Sequence, residues 1–264
     1  MDNVVAQMVI KLGYRGEGFC GFAIQPEERT VAGELKRALE TFLRHEVFIT
    51  CAGRTDTGVH AQSQYVPIPV TQEELSLDKG RLMRGLSALT PDDISIIDIY
   101  KADKEFSARF SAQARHYRYR ISSGAAKPIV GWDYSWWYRG DLDVDKMHEA
   151  AQYLLGENDF KSFCKAQSAI GKPTHRYVDS LTVTKTHEMN EDFIAIDICG
   201  NAFLHSMVRT ITGSLVEVGR GNRKPEWMKE VLEACDRSAA GPCAPAKGLI
   251  FVGVDYPEGS LMSW

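Results

Sequence analysis

The strongest constraint on the fold is the order in which this chain changes its hydrophobic period. Residues 4–13, VVAQMVIKLG, are rich in β-branched side chains and predict a strand. Across residues 31–45, Val31, Leu35, Ala38, Leu39, Phe42 and Leu43 fall at the 3.6-residue spacing of an amphipathic helix. Residues 47–51 and 62–70 predict two further strands. A helix over 77–89 follows, stopped by Thr90-Pro91, and then a strand over 94–101. The order is β-α-β-β-α-β, that of a ferredoxin-like unit. Something similar recurs downstream. A strand is predicted over 115–122, and a helix that Asp145 can cap and Gly156 can end. Strands over 181–187 and 193–199 meet at a turn around Met189-Asn190. Helices over 202–219 and 225–235 and a strand over 249–256 close the chain. The expected fold is therefore α+β, in two ferredoxin-like (βαββαβ) halves, residues 1–104 and 105–264. Their antiparallel sheets would join with helices on one face and a central cleft on the other.

A length of 264 residues suits two domains of roughly 100–150 residues each. The net charge of −4 argues against a protein that coats nucleic acid indiscriminately, but leaves room for a local basic cleft. None of the six cysteines forms a C-x-x-C pair, and no histidine stands at zinc-finger spacing from two of them. Reduced thiols of a cytoplasmic protein are expected, with no metal. The N-terminal MDNVVAQMVIKLGYRG lacks the layout of a signal peptide, and no stretch reaches the about 18 apolar residues of a membrane span. With no P-loop and no dinucleotide fingerprint, no cofactor is expected.

Three segments carry candidate chemistry. The first is GRTDTGVHA, residues 53–61, where Arg54, Asp56 and His60 share one short segment with Gly53 and Gly58. Glycine lets backbone approach a ligand closely, Thr55 and Thr57 can bond locally to the backbone, and a preceding strand gives rigid support. Asp-Thr-Gly is also ordinary turn chemistry, and His60 by itself reads as a structural hydrogen-bonder. An aspartic protease would need a second such aspartate, and the chain has a single D-T-G among strong helices. The second segment, FSARFSAQARHYRYR at 106–120, alternates Tyr117 and Tyr119 with Arg118 and Arg120. On a strand these two sets face opposite ways. Aromatic faces stack on unpaired bases and arginines pair with phosphates. The third, 200–224, sets Arg209 among apolar residues. A buried arginine needs a carboxylate, and Asp56 is the expected partner.

Taken together, these segments resemble the TruA family of tRNA pseudouridine synthases. The likeness runs in order through YRGEGFCGF (14–22), AGRTDTGVHA (52–61), ARFSAQARHYRYR (108–120), LLGENDFKSF (154–163), NAFLHSMVRTITGSLVEVG (201–219) and APAKGLIFVGVDY (244–256). It implies that Asp56 is the catalytic aspartate and that Tyr117 stacks on the target uracil. Arg209 would pair with the aspartate, and Leu249 would line the base pocket. Arg54 would help flip the base or hold the RNA backbone. It further implies an RNA-binding cleft between ferredoxin-like halves, a homodimer, and as substrate the anticodon stem-loop of tRNA at positions thirty-eight to forty. One departure is that Gly21 is followed by Phe22-Ala23-Ile24-Gln25, where the family has Trp-Gln; the glutamine is displaced by two residues.

The implied reaction breaks the N1–C1′ bond of uridine, turns the base and joins C5 to C1′. It needs no redox partner and no metal. The base must leave its stack to be reached. Asp56 would act either as a nucleophile on C1′ or as a base on C2′, and the residues do not choose between them. A non-catalytic tRNA-binding module of the same fold is the alternative reading.

Overall fold

The computed structural model describes residues 4–188 and 190–264, so Met189 of the turn expected at Met189-Asn190 lies outside the described residues. Asn190 has a φ of +62°. The chain divides into two compact units, residues 4–113 with Phe251–Trp264, and Ala114–Ile250.

In the first unit, β1 (Ala6–Tyr14), α1 (Val31–Leu43), β2 (His60–Val70), α2 (Gln72–Leu75), α3 (Lys79–Leu89) and β3 (Ile94–Ala102) follow in sequence. β1 pairs antiparallel with β2 on one side and with β3 on the other. Lying between two strands, it is buried at seven of its nine positions. Ile10 and Leu12 of β1, Ile68 of β2 and Ile99 of β3 are fully buried, as are Leu35, Leu39, Leu82 and Leu86 of the helices. The spacing seen in 31–45 is thus the core face of α1. Thr30 caps this helix by accepting the Gly33 amide, and Arg44 ends it in the left-handed region at φ +63°. α3 starts at Asp78, whose carboxylate accepts the Arg81 amide, and stops at Thr90, which is extended before Pro91.

The second unit contains β4 (Ala114–Ser123), β5 (Trp136–Tyr138), α4 (Val144–Gln152), β6 (Gly156–Asp159), α5 (Ala166–Ala169), β7 (His175–Glu188), β8 (Glu191–Gly200), α6 (Met207–Gly219) and α7 (Trp227–Ala234). Its strands run in the order β5-β4-β8-β7-β6. All these neighbours are antiparallel except β4 and β5. α4 packs on β7 and α6, and α6 on β4. β9 (Leu249–Asp255) begins in this unit and continues in the first, where β10 (Met262–Ser263) pairs with β3.

The architecture is α+β with mostly antiparallel strands, and three expectations change in detail. Residues 47–51 form no strand. The Val47 amide is met by the Glu40 carboxylate, and just past the segment the Ala52 amide is met by the Tyr65 carbonyl. The helix expected from residue 202 begins at Met207, because Ser206 sits at φ +60° and Asn201 is spent binding Tyr177 through both backbone and side chain. Asp143, not Asp145, caps α4 by accepting the Lys146 amide; Asp145 lies in the first turn. The short strands β5, β6 and β10 carry too few residues to show a period. No helix among the described residues is long and apolar enough to cross a membrane.

Candidate active site

In the first unit, the loop entering β2 is braced from behind by the segment after β1. The Asp56 backbone carbonyl accepts the Val59 amide (3.1 Å) across a turn whose third residue, Gly58, has φ +77°. That places the positive φ where a type II turn requires it. The Phe22 amide donates to the Thr55 carbonyl (3.1 Å), and the Gly58 amide to the Phe19 carbonyl (3.4 Å). Gly21, at φ +87°, lies flat against Thr55–Thr57; a Cβ there would stand 2.9 Å from the Thr55 carbonyl oxygen. Side chains add to this. The buried hydroxyls of Tyr14 and Thr55 meet at 2.7 Å. Gln64 Nε2 donates to the Gly53 carbonyl at 2.7 Å. Burial pushes the Tyr14 phenol far above its ordinary range, against hydrogen bonds from Thr55 and Gln64 that pull it down.

These contacts leave Asp56 half-buried and Arg54 exposed, on one short rigid turn. His60 is buried, and its Nδ1 accepts the Gly16 amide at 3.1 Å. It is the structural hydrogen-bonder its surroundings suggested. Thr55 differs from expectation, since its hydroxyl meets the hydroxyl of Tyr14, 41 positions away, a partner its local reach did not suggest. The displaced Gln25 folds back onto the Cys20 carbonyl at 2.6 Å.

In the second unit, β4 sorts its residues by face. Arg115, Tyr117 and Tyr119 are buried, and the Tyr117 ring meets Phe203 edge-on at 5.0 Å. Tyr119 donates to the Pro245 carbonyl (2.7 Å). Burial holds its phenol well above the usual value, partly offset by the positive charge of Arg209. Arg209 is half-buried on α6; its Nε donates to the Ala244 carbonyl (2.8 Å), whose own amide returns to the Arg209 carbonyl (3.0 Å). Gly248 is pressed against the Tyr119 ring, and buried Leu249 follows it directly. Tyr119, Arg209 and the turn before Leu249 are thus held together. Arg118 and Arg120, on the other face, meet the carboxylates of Asp197 and Glu188 rather than standing open for phosphate. Spacing gave no sign of Tyr14 or Gln64 behind the Asp56 loop, because each is an ordinary strand residue in sequence. Among the described residues no group of three or more His, Cys, Asp and Glu side chains could hold a metal ion.

Residues 150–257 match the family described as tRNA pseudouridine synthase. The tRNA pseudouridine synthase A of Vibrio campbellii is 46% identical over 253 residues, covering 95% of this chain and 93% of that protein. The protein of the same name from Francisella tularensis subsp. novicida is 41% identical, covering 96% of this chain and 95% of its own. This chain therefore belongs to the tRNA pseudouridine synthase A family.

Proposed function

We propose that Asp56 is the catalytic carboxylate with which this protein isomerises uridine to pseudouridine in tRNA. The observation that carries the reading is the identity of 46% to an enzyme of that name across nearly the whole of both chains. The Asp56 turn, closed by backbone hydrogen bonds, mounts the carboxylate on a short strand-supported loop, which suits a group acting on one ribose edge. Tyr117 stacks on the detached uracil and Leu249 supplies apolar pocket wall. Arg209 supplies the positive charge that an ionised carboxylate needs, and Arg54, exposed beside Asp56, meets the RNA backbone or flips the base. Holding the base away from water lets it recombine instead of leaving an abasic sugar.

The substrate is the anticodon stem-loop at positions thirty-eight to forty, bound by a homodimer in the cytoplasm. Reading neighbouring positions calls for recognition of shape and backbone rather than base sequence. The fold reading that accompanies this is two ferredoxin-like halves, 1–104 and 105–264; the antiparallel sheet within each unit supports it. The test is position-resolved mapping of pseudouridine after incubation with unmodified tRNA. Wild type should modify the anticodon arm. Asp56→Ala should make no product while still binding tRNA. Product at the wild-type rate from that variant would remove Asp56 from the mechanism.

A further inference from the structure

We infer that Tyr14, Gln64 and Thr55 form a buried positioning device for the loop that carries Asp56 and Arg54; this rests on the catalytic reading of Asp56. The three residues come from the end of β1, the middle of β2 and the loop itself, and they are 6%, 0% and 7% exposed. Gln64 is the hub. Its Nε2 holds the Gly53 carbonyl, its Oε1 accepts the Tyr65 amide (3.3 Å), and its side chain also reaches the Tyr14 phenol. Tyr14 in turn holds the Thr55 hydroxyl. Gly53 and Thr55 flank Arg54, and Thr55 immediately precedes Asp56. Both residues on either side of the exposed arginine are therefore fixed from within the protein.

The strand geometry serves the same end. Leu12 stands opposite Gln64 and Tyr14 opposite Ala61, so the β1–β2 register slips by one residue at this point. Such a bulge turns a side chain out of the regular alternation, and it does so here where Tyr14 must reach Thr55. Backbone bonds from Phe22 and Val59 already close the turn. The side-chain network adds little to its existence and much to its orientation, since a fully satisfied buried network specifies one arrangement. A carboxylate displaced by about 1 Å from a reacting carbon can lose on the order of 100-fold in rate.

The experiment compares Tyr14→Phe, Thr55→Val and Thr55→Ser in the full-length protein, with Asp56→Asn alongside. It measures kcat and KM on tRNA, tRNA affinity and melting temperature. Tyr14→Phe and Thr55→Val should each lower kcat by about 10- to 100-fold, with KM and tRNA affinity within about twofold of wild type. Thr55→Ser, which keeps the hydroxyl, should recover most of the loss. The Tyr14→Phe/Thr55→Val double variant should be no slower than the slower single variant, because one bond is lost in all three. Wild-type kcat in both single variants, with only the melting temperature lowered, would overturn the assignment. So would equal activity in Thr55→Val and Thr55→Ser, which stands even if Tyr14→Phe fails to fold. An active Asp56→Asn would overturn the catalytic reading and this inference together. An inactive Asp56→Asn beside fully active Tyr14→Phe and Thr55→Val would overturn this inference alone.

Discussion

Arg118 on β4 stands directly opposite Asp197 on β8, and the two side chains close a two-pronged ion pair, Nε to Oδ1 at 2.7 Å and Nη2 to Oδ2 at 3.0 Å. Glu188 then joins Arg118 to Arg120 across the same sheet face. A strand that looks like a phosphate ladder in sequence is thus a set of cross-strand pairs. Each partner of the Arg118–Asp197 pair keeps 37% of its side-chain exposure, so solvent screens it. Arg118→Gln should therefore cost only about 0.5–1 kcal/mol in urea unfolding. It should leave the salt dependence of tRNA binding unchanged. Arg54→Ala should do the reverse, leaving stability intact and flattening the slope of log affinity against log salt by about one. A flattened slope in Arg118→Gln would return that arginine to the RNA interface.

How much of this was legible in the sequence depends on whether a residue's role is periodic or long-range. Val31, Leu35 and Leu39 announced the buried face of α1 because burial follows the helical repeat. Asp56 announced itself by its company, Arg54 and two glycines in one short loop. Residues 47–51 misled because β-branched side chains favour strands, yet a strand forms only where a ladder partner exists, and here the neighbouring amides find a carboxylate and one carbonyl. Gln64 was invisible for the opposite reason. Its neighbours alternate as any strand does, and its importance comes from Gly53 and Tyr14, which the sequence places 11 and 50 positions away.

Gly21 provides a sharp test of the brace behind the loop. Its φ of +87° costs an L-residue about 1–2 kcal/mol, and a Cβ would press on the Thr55 carbonyl at 2.9 Å. Gly21→Ala should lower stability by about 2–3 kcal/mol in urea unfolding. It should also cut kcat more than tRNA affinity, since Thr55 is pushed from behind while the exposed Arg54 keeps its reach. An unchanged unfolding midpoint would mean that the loop is not seated against Gly21.

His45 predicts a pH dependence of stability. Its Nδ1 lies 2.9 Å from the Glu46 carbonyl and its Nε2 meets the Glu74 carboxylate, so both ring nitrogens face acceptors and only the imidazolium can donate to both. The Glu46 carbonyl first, then Glu74, raises the pKa of the ring, with Glu40 adding a smaller attraction. A group whose folded pKa is raised stabilises the fold fully below its unfolded value, about 6.5, and loses that contribution as pH rises through the folded pKa. The urea midpoint should therefore fall as pH is taken upward from about 6.5, and His45→Gln should lack that decline. The ring is half-exposed, so the effect is small and is best read together with an NMR titration of His45. Titration at or below the ordinary value would contradict the pairing.

Tyr117 separates stacking from proton chemistry. Its ring is buried on β4 and braced edge-on by Phe203. Such aromatic pairs contribute about 0.5–1.5 kcal/mol beyond the area they bury. Tyr117→Phe keeps the ring, the edge contact and the face that the proposed function offers to uracil. It should fold and bind tRNA as wild type does. Tyr117→Leu loses the face, and should form no pseudouridine while remaining folded, because an aliphatic side chain offers no π surface to a detached base. Mapping product on the same tRNA for both variants reads the two roles apart. Product from Tyr117→Phe at the wild-type rate assigns the whole contribution to stacking. Tight tRNA binding without product assigns a proton to the hydroxyl. Wild-type activity in Tyr117→Leu would take this ring out of the uracil pocket altogether.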